Sequence, residues 1–132
     1  MIKFSKEAVN IVLLSAIVLF MDAIYLKTIS KLFGSMIKKI QNGPMRVKWG
    51  GASFVYLLVI FQIYYFIIKE NRGWFDAFLL GALTYGIFDF TCYALLDDYD
   101  LTLAVVDMIW GGTLYAVAVV LFGYAKKRMR LN

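Results

Sequence analysis

Three aspartates stand in stretches of chain that are otherwise soluble in lipid: Asp22, Asp89 and Asp107. A carboxylate in the hydrocarbon of a bilayer costs at least a few kcal/mol, so it marks a site or a packing need. Each is followed at helical spacing by a ring or a polar group: Asp22 by Tyr25, Asp107 by Trp110, and Asp89 by Cys92 and Tyr93. Offsets of three and four place two side chains on one helix face, a turn apart. Thr28, Thr91 and Thr113 offer hydroxyls close by. An all-oxygen set beside aromatic rings suits a proton, a hard cation or an organic ammonium. The same residues also suit a purely structural role, with acids that are protonated or hydrogen-bonded joining one helix to the next. Interhelical polar bonds in membranes are worth about 0.6 kcal/mol on average, which is little return for three buried acids. On the sequence, both readings stay open.

Other chemistry is narrowly bounded. The chain has no histidine and one cysteine, Cys92. Ser-His and Cys-His nucleophilic pairs are therefore excluded. An intrachain disulfide is impossible, and zinc, haem and iron–sulfur sites are not expected. The sequence leads us to expect no cofactor and no enzyme, although acids and tyrosines alone can carry protons.

The elements that must position these acids are helices. The chain of 132 residues is 62% hydrophobic and 17% aromatic, with 17% charged residues, so the bilayer is part of its solvent. Four segments, 8–26, 49–68, 75–96 and 101–124, approach or exceed the roughly 20 apolar residues that a span needs. They predict an all-α integral membrane four-helix bundle forming a single domain over 1–132. The first segment reads as a retained helix, being too long for a signal peptide and lacking a cleavage motif. Tyr25, Trp49, Trp74 and Tyr124 fall at span ends, where aromatic belts form. Short links at 70–74 and 97–100 force antiparallel neighbours. The small pairs Ala82/Gly86 and Gly112/Ala116 mark close helix contacts.

Four spans put both termini on one face. That face carries Lys3, Lys6, Lys69, Arg72, Lys126, Lys127, Arg128 and Arg130; the other carries Lys27, Lys31, Lys38, Lys39, Arg46 and Lys48. Eight basic residues against six favour cytoplasmic termini. This threading sets the three acids at one depth, roughly 6–10 Å below the face opposite the termini. Span two contributes no acid there; only Ser53 and Tyr56 approach the layer, whereas Gln62, Tyr64 and Tyr65 lie toward the opposite face.

Between spans one and two, Ile29, Leu32, Phe33, Met36, Ile37 and Ile40 recur at helical spacing, interleaved with Lys31, Ser35, Lys38 and Lys39. This predicts an amphipathic interfacial helix over 28–41, ended by Asn42-Gly43-Pro44. A helix folded over the bundle and packed on protein fits the same pattern. The net charge of +5 is read as contact with anionic headgroups through Lys31, Lys38, Lys39 and the tail Lys126, Lys127, Arg128 and Arg130. Nucleic acid is not expected as a partner.

The motifs Met21-Asp22-Ala23-Ile24-Tyr25-Leu26, Tyr85-Gly86-Ile87-Phe88-Asp89-Phe90-Thr91 and Val106-Asp107-Met108-Ile109-Trp110-Gly111 together resemble domain-of-unknown-function family 2177. These are small four-span membrane proteins of bacteria and some large DNA viruses. Tyr25 stands where that family commonly has Trp, and Phe90 where it has an aliphatic residue. The resemblance implies a shared constellation of Asp22, Asp89 and Asp107 and supplies no activity. A likeness to small four-span multidrug exporters fails at their hallmark, a glutamate in the first span, because none lies between Glu7 and Glu70. Two functions follow as expectations. One is a non-enzymatic component of a membrane assembly, a viral one included; the other is a small proton-coupled transporter or binding protein for a cation or amine.

Overall fold

A computed structural model describes residues 5–129. Four long helices run α1 (Lys6–Gln41), α2 (Trp49–Ile63, continued by a π-helical turn Tyr64–Ile68), α3 (Trp74–Leu95) and α4 (Leu101–Arg128). No strand occurs among the described residues. All four are long and apolar enough to cross a membrane. The fold is the all-α membrane bundle that the hydropathy pattern predicts.

Local chemistry sets the helix ends. The Ser5 hydroxyl caps α1 by accepting from the Ala8 N–H at 3.1 Å, and the Asp100 carboxylate caps α4 by accepting from Leu103 at 2.9 Å. Asn42, in the left-handed region at φ 53°, ends α1. The Gln41 amide then donates to the Pro44 carbonyl at 2.7 Å and turns the chain.

The first helix differs from expectation. Instead of a span followed by a separate interfacial helix over 28–41, α1 runs unbroken for 36 residues. No proline interrupts it before Pro44, and Gly34 alone does not break the hydrogen-bond ladder. At 1.5 Å per residue α1 is about 54 Å long, beyond the roughly 40–45 Å of a whole bilayer. The amphipathic pattern is real but packs on protein. Ile29 and Met36 are buried against Tyr99, Leu103 and Ala104, with Phe33, Ile37 and Ile40 alongside. The Asp100 N–H even donates to the Met36 sulfur at 3.2 Å.

The tightest pairing is α3 on α4, where glycines let the backbones meet. A Cβ on Gly81 would strike the Gly111 carbonyl and, at 2.6 Å, the Tyr115 ring. Gly86 and Gly112 of the two small-residue pairs also lie in this interface, against Met108 and Phe78 respectively. Toward the termini the interior is an apolar plug of Leu14, Val18, Ile63, Ala77, Leu114 and Ala118, each fully buried. Toward the other face the interior turns polar, and the acids lie there.

Candidate functional site: the carboxyl layer

The three acids are the buried charged residues of the described chain: Asp22 is 7% exposed, Asp89 0% and Asp107 9%. Helices α1 and α4 run antiparallel, and each carries an acid with a ring three residues later. The two motifs interlock. The Trp110 indole N–H donates to Asp22 Oδ1 at 3.0 Å, and the Tyr25 hydroxyl donates to Asp107 Oδ1 at 2.9 Å. Between these bonds the Tyr25 and Trp110 rings stack with centroids 4.5 Å apart and planes within 7°. Each helix thus gives an acid to its neighbour's ring and takes a ring for its own acid.

The remaining lone pairs draw on other elements. Tyr56 of α2 donates to Asp22 Oδ2. Tyr99, in the link between α3 and α4, donates to Asp89 Oδ1 at 2.7 Å. Burial first, and then this bond, hold the Tyr99 phenol above its ordinary range, so it stays a donor. Asp89 Oδ2 is buried without a hydrogen-bond partner among the described residues, and the Asp107 carboxyl lies beside Asp89.

The acids of α1 and α4 do not lie at one depth. Asp22 is level with Trp110, whereas Asp107 is level with Tyr25. Because one step is three residues, Asp22 lies about 4.5 Å deeper than Asp107. The layer is staggered, since the first span does not end at Leu26. Among the described residues, no three His, Cys, Asp or Glu side chains are grouped to hold a metal ion.

Of the expected neighbours, Tyr25 and Trp110 join the layer. Thr91 and Tyr93 do not: the Thr91 hydroxyl donates to its own helix at Ile87, 2.5 Å away, and Tyr93 is 44% exposed, edge-on to Phe90. The α3 face bearing Asp89 turns to α4, which sends Thr91 round to the lipid side. Thr28 and Thr113 likewise donate to carbonyls of their own helices. Ser53 is exposed, so Tyr56 is span two's contribution. Lys31, Lys38 and Lys39 are exposed along the last turns of α1, and Lys126, Lys127 and Arg128 end α4. Arg130 lies outside the described residues.

Sequence reasoning missed Tyr99, a loop residue outside every span; its lone aromatic ring among Asp97, Asp98 and Asp100 was the available signal. It also missed a second, deeper polar cluster. The Gln62 amide donates to Thr84 Oγ1 at 2.9 Å, and Tyr115 donates to the Gln62 oxygen. This cluster links α2, α3 and α4 in the middle of the bundle.

A model of the family described as predicted membrane protein, DUF2177, matches residues 8–125. The chain belongs to that family. The DUF2177 match takes in all four helices and every acid of the layer. No curated protein and no solved structure matches the chain.

Proposed function

We propose that this DUF2177 protein is a non-enzymatic interaction component of a membrane assembly, whose carboxyl layer fastens its own helices. One observation carries the reading: the acids are engaged by internal donors, with Trp110, Tyr56, Tyr25 and Tyr99 each arriving from another element. These donors engage four of the six carboxylate oxygens, so every acid receives at least one. The fastening fixes α1 against α4, and α1 then carries Lys31, Lys38 and Lys39 outward as a stiff basic arm. Such an arm suits anionic headgroups or an acidic partner face. The integral membrane location is given by four apolar spans; cytoplasmic termini remain part of the proposal, resting on the basic-residue balance. The test is cross-linking in the native membrane followed by gentle extraction. The proposal expects a complex larger than the monomer that is depleted by Lys31→Gln, Lys38→Gln and Lys39→Gln together. Extraction of monomer alone would contradict it.

A second reading rests on a different observation. Asp89 Oδ2 is buried and unpartnered beside Asp107, an arrangement suited to a proton held between two acids or to a small donor cation. On this reading the layer serves proton-coupled transport or binding of a cation or amine. Proteoliposomes test it: if Asp22→Asn, Asp89→Asn and Asp107→Asn all leave cation-driven pH changes intact, this reading falls.

A further inference from the structure

The acids occupy one half of the bundle; the other end, where both termini lie, holds a polar hollow of about 370 Å³. Four parts of the chain close around it. Asn10 comes from the first turns of α1, Lys69 from the end of the π-helical turn, Asn71 and Arg72 from the link to α3, and Lys126 from α4. Three cations and two amides therefore face one space. Its apolar side is built from Ile68, Val119 and Phe122, and Gly123 leaves the wall open, with no atom within 4 Å of where a Cβ would stand.

The cations are held rather than loose. The Lys126 ammonium lies 5.6 Å from the centre of the Phe122 ring, and the Lys69 ammonium 5.0 Å from the centre of the Tyr65 ring. Asn71 takes the left-handed conformation, φ 53°, which turns the link back between the helix ends. The acid in contact is Asp76, at 3.7 Å from Arg72 in an exposed pair. Exposed pairs of this kind are weak, so Arg72 keeps donors for a guest. Planar guanidinium and compact ammonium donors around amide groups match the oxygens of a phosphate.

The four apolar spans would put the hollow at headgroup level, and Arg72 also lines, with Glu70 and Asp76, a neighbouring groove of about 480 Å³ floored by Phe66, Leu79, Leu80 and Leu83. A phosphate with an attached acyl chain satisfies both halves, one polar and one apolar. We infer that the hollow between Asn10, Lys69, Arg72 and Lys126 binds the phosphate of an anionic phospholipid. This site is separate from the carboxyl layer and does not depend on the role proposed for it.

The test uses the full chain, purified and delipidated in mild detergent, with lipid retention read by native mass spectrometry. Phosphatidylglycerol, phosphatidylcholine and inorganic phosphate serve as probes. One phosphatidylglycerol should be retained in preference to phosphatidylcholine. Each cation near the headgroup contributes about fivefold, so Lys69→Gln, Arg72→Gln and Lys126→Gln combined should weaken retention on the order of 100-fold. Arg46→Gln with Lys48→Gln, in the link between α1 and α2 at the opposite face, should leave it within about twofold, since these residues lie beyond the Debye screening length. Circular dichroism of the triple variant checks that the bundle is intact. Equal retention of phosphatidylcholine, an unchanged triple variant, or equal loss in the Arg46/Lys48 variant overturns the proposal. Displacement of the lipid by millimolar inorganic phosphate overturns the lipid assignment and leaves a site for free phosphate.

Discussion

Removing one oxygen from Tyr25 isolates the α1–α4 exchange. Tyr25→Phe keeps the ring that stacks on Trp110 at 4.5 Å and deletes only the hydroxyl that donates to Asp107 at 2.9 Å. Interhelical hydrogen bonds in a membrane are worth about 0.6 kcal/mol on average and about 1.7 at most. Asp107 is 9% exposed and has little water to turn to, so the upper half of that range applies, about 1–1.7 kcal/mol. Tyr25→Leu deletes the stack as well, which is worth a further 0.5–1.5 kcal/mol or so, for a total loss of about 1.5–3 kcal/mol. Reversible unfolding in bicelles, followed by steric trapping, resolves such differences. The cycle is completed with Asp107→Leu, in whose background the Tyr25 hydroxyl has lost its acceptor and Tyr25→Phe should cost nothing. A coupling energy within about 0.3 kcal/mol of zero, the usual error for independent sites, would refute the exchange as a fastener. Equal losses for Tyr25→Phe and Tyr25→Leu would refute the role of the stack.

Three further outcomes follow from the geometry. Gly81→Ala should destabilise the bundle by roughly 1–3 kcal/mol, because the new Cβ meets the Gly111 carbonyl rather than a flexible side chain; Gly34→Ala, in open space on α1, should instead add about 0.5–1 kcal/mol, and thermal unfolding in detergent compares them. Tyr99 is held above its ordinary value of about 10 by burial and then by Asp89, so its bond contributes fully below that pH and is lost as pH rises through the folded value. The stability difference between the parent and Tyr99→Phe should accordingly be intact at about pH 9 and shrink only above about 10; loss of the difference by about pH 9 would count against the assignment. Thr91→Val and Tyr93→Phe, outside the layer, should each shift stability by less than about 0.5 kcal/mol, and a larger loss would place them back inside it.

The four helices were legible because a span advertises itself by length and hydropathy, and because the links at 70–74 and 97–100 leave no choice of neighbour. The acids were legible for the same reason: a charge in lipid stands out against its surroundings. Their partners were harder to read. Spacing along one helix put Tyr25 beside Asp22 and Trp110 beside Asp107, yet each ring bonds the acid of the other helix. An offset of three aligns a ring with its own acid's face, but the length of the ring carries its polar atom a turn along, to the level of the opposing acid. Thr91 was misjudged because a hydroxyl in an apolar helix bonds the carbonyl four residues back before it looks for anything else. Tyr99 could not be placed from a pattern, since a loop has no periodicity. The end of α1 was misplaced because hydropathy falls at Lys27 while the helical hydrogen bonds continue to Gln41, carried by packing against Leu103 and Ala104.

Solid-state NMR on the protein in bilayers offers the most direct measurement, using ¹³C-labelled aspartate and ¹⁵N-labelled tryptophan with Trp110→Phe to assign the signal. With the Trp110 nitrogen 3.0 Å from an Asp22 oxygen, a strong carboxyl-to-indole transfer should appear. It should persist unchanged when monovalent cations, divalent cations or alkylamines are added, because the acid is already engaged by its neighbouring helix. Absence of that contact, or its loss on adding a cation or an amine, would show an acid open to a ligand and contradict the fastened layer.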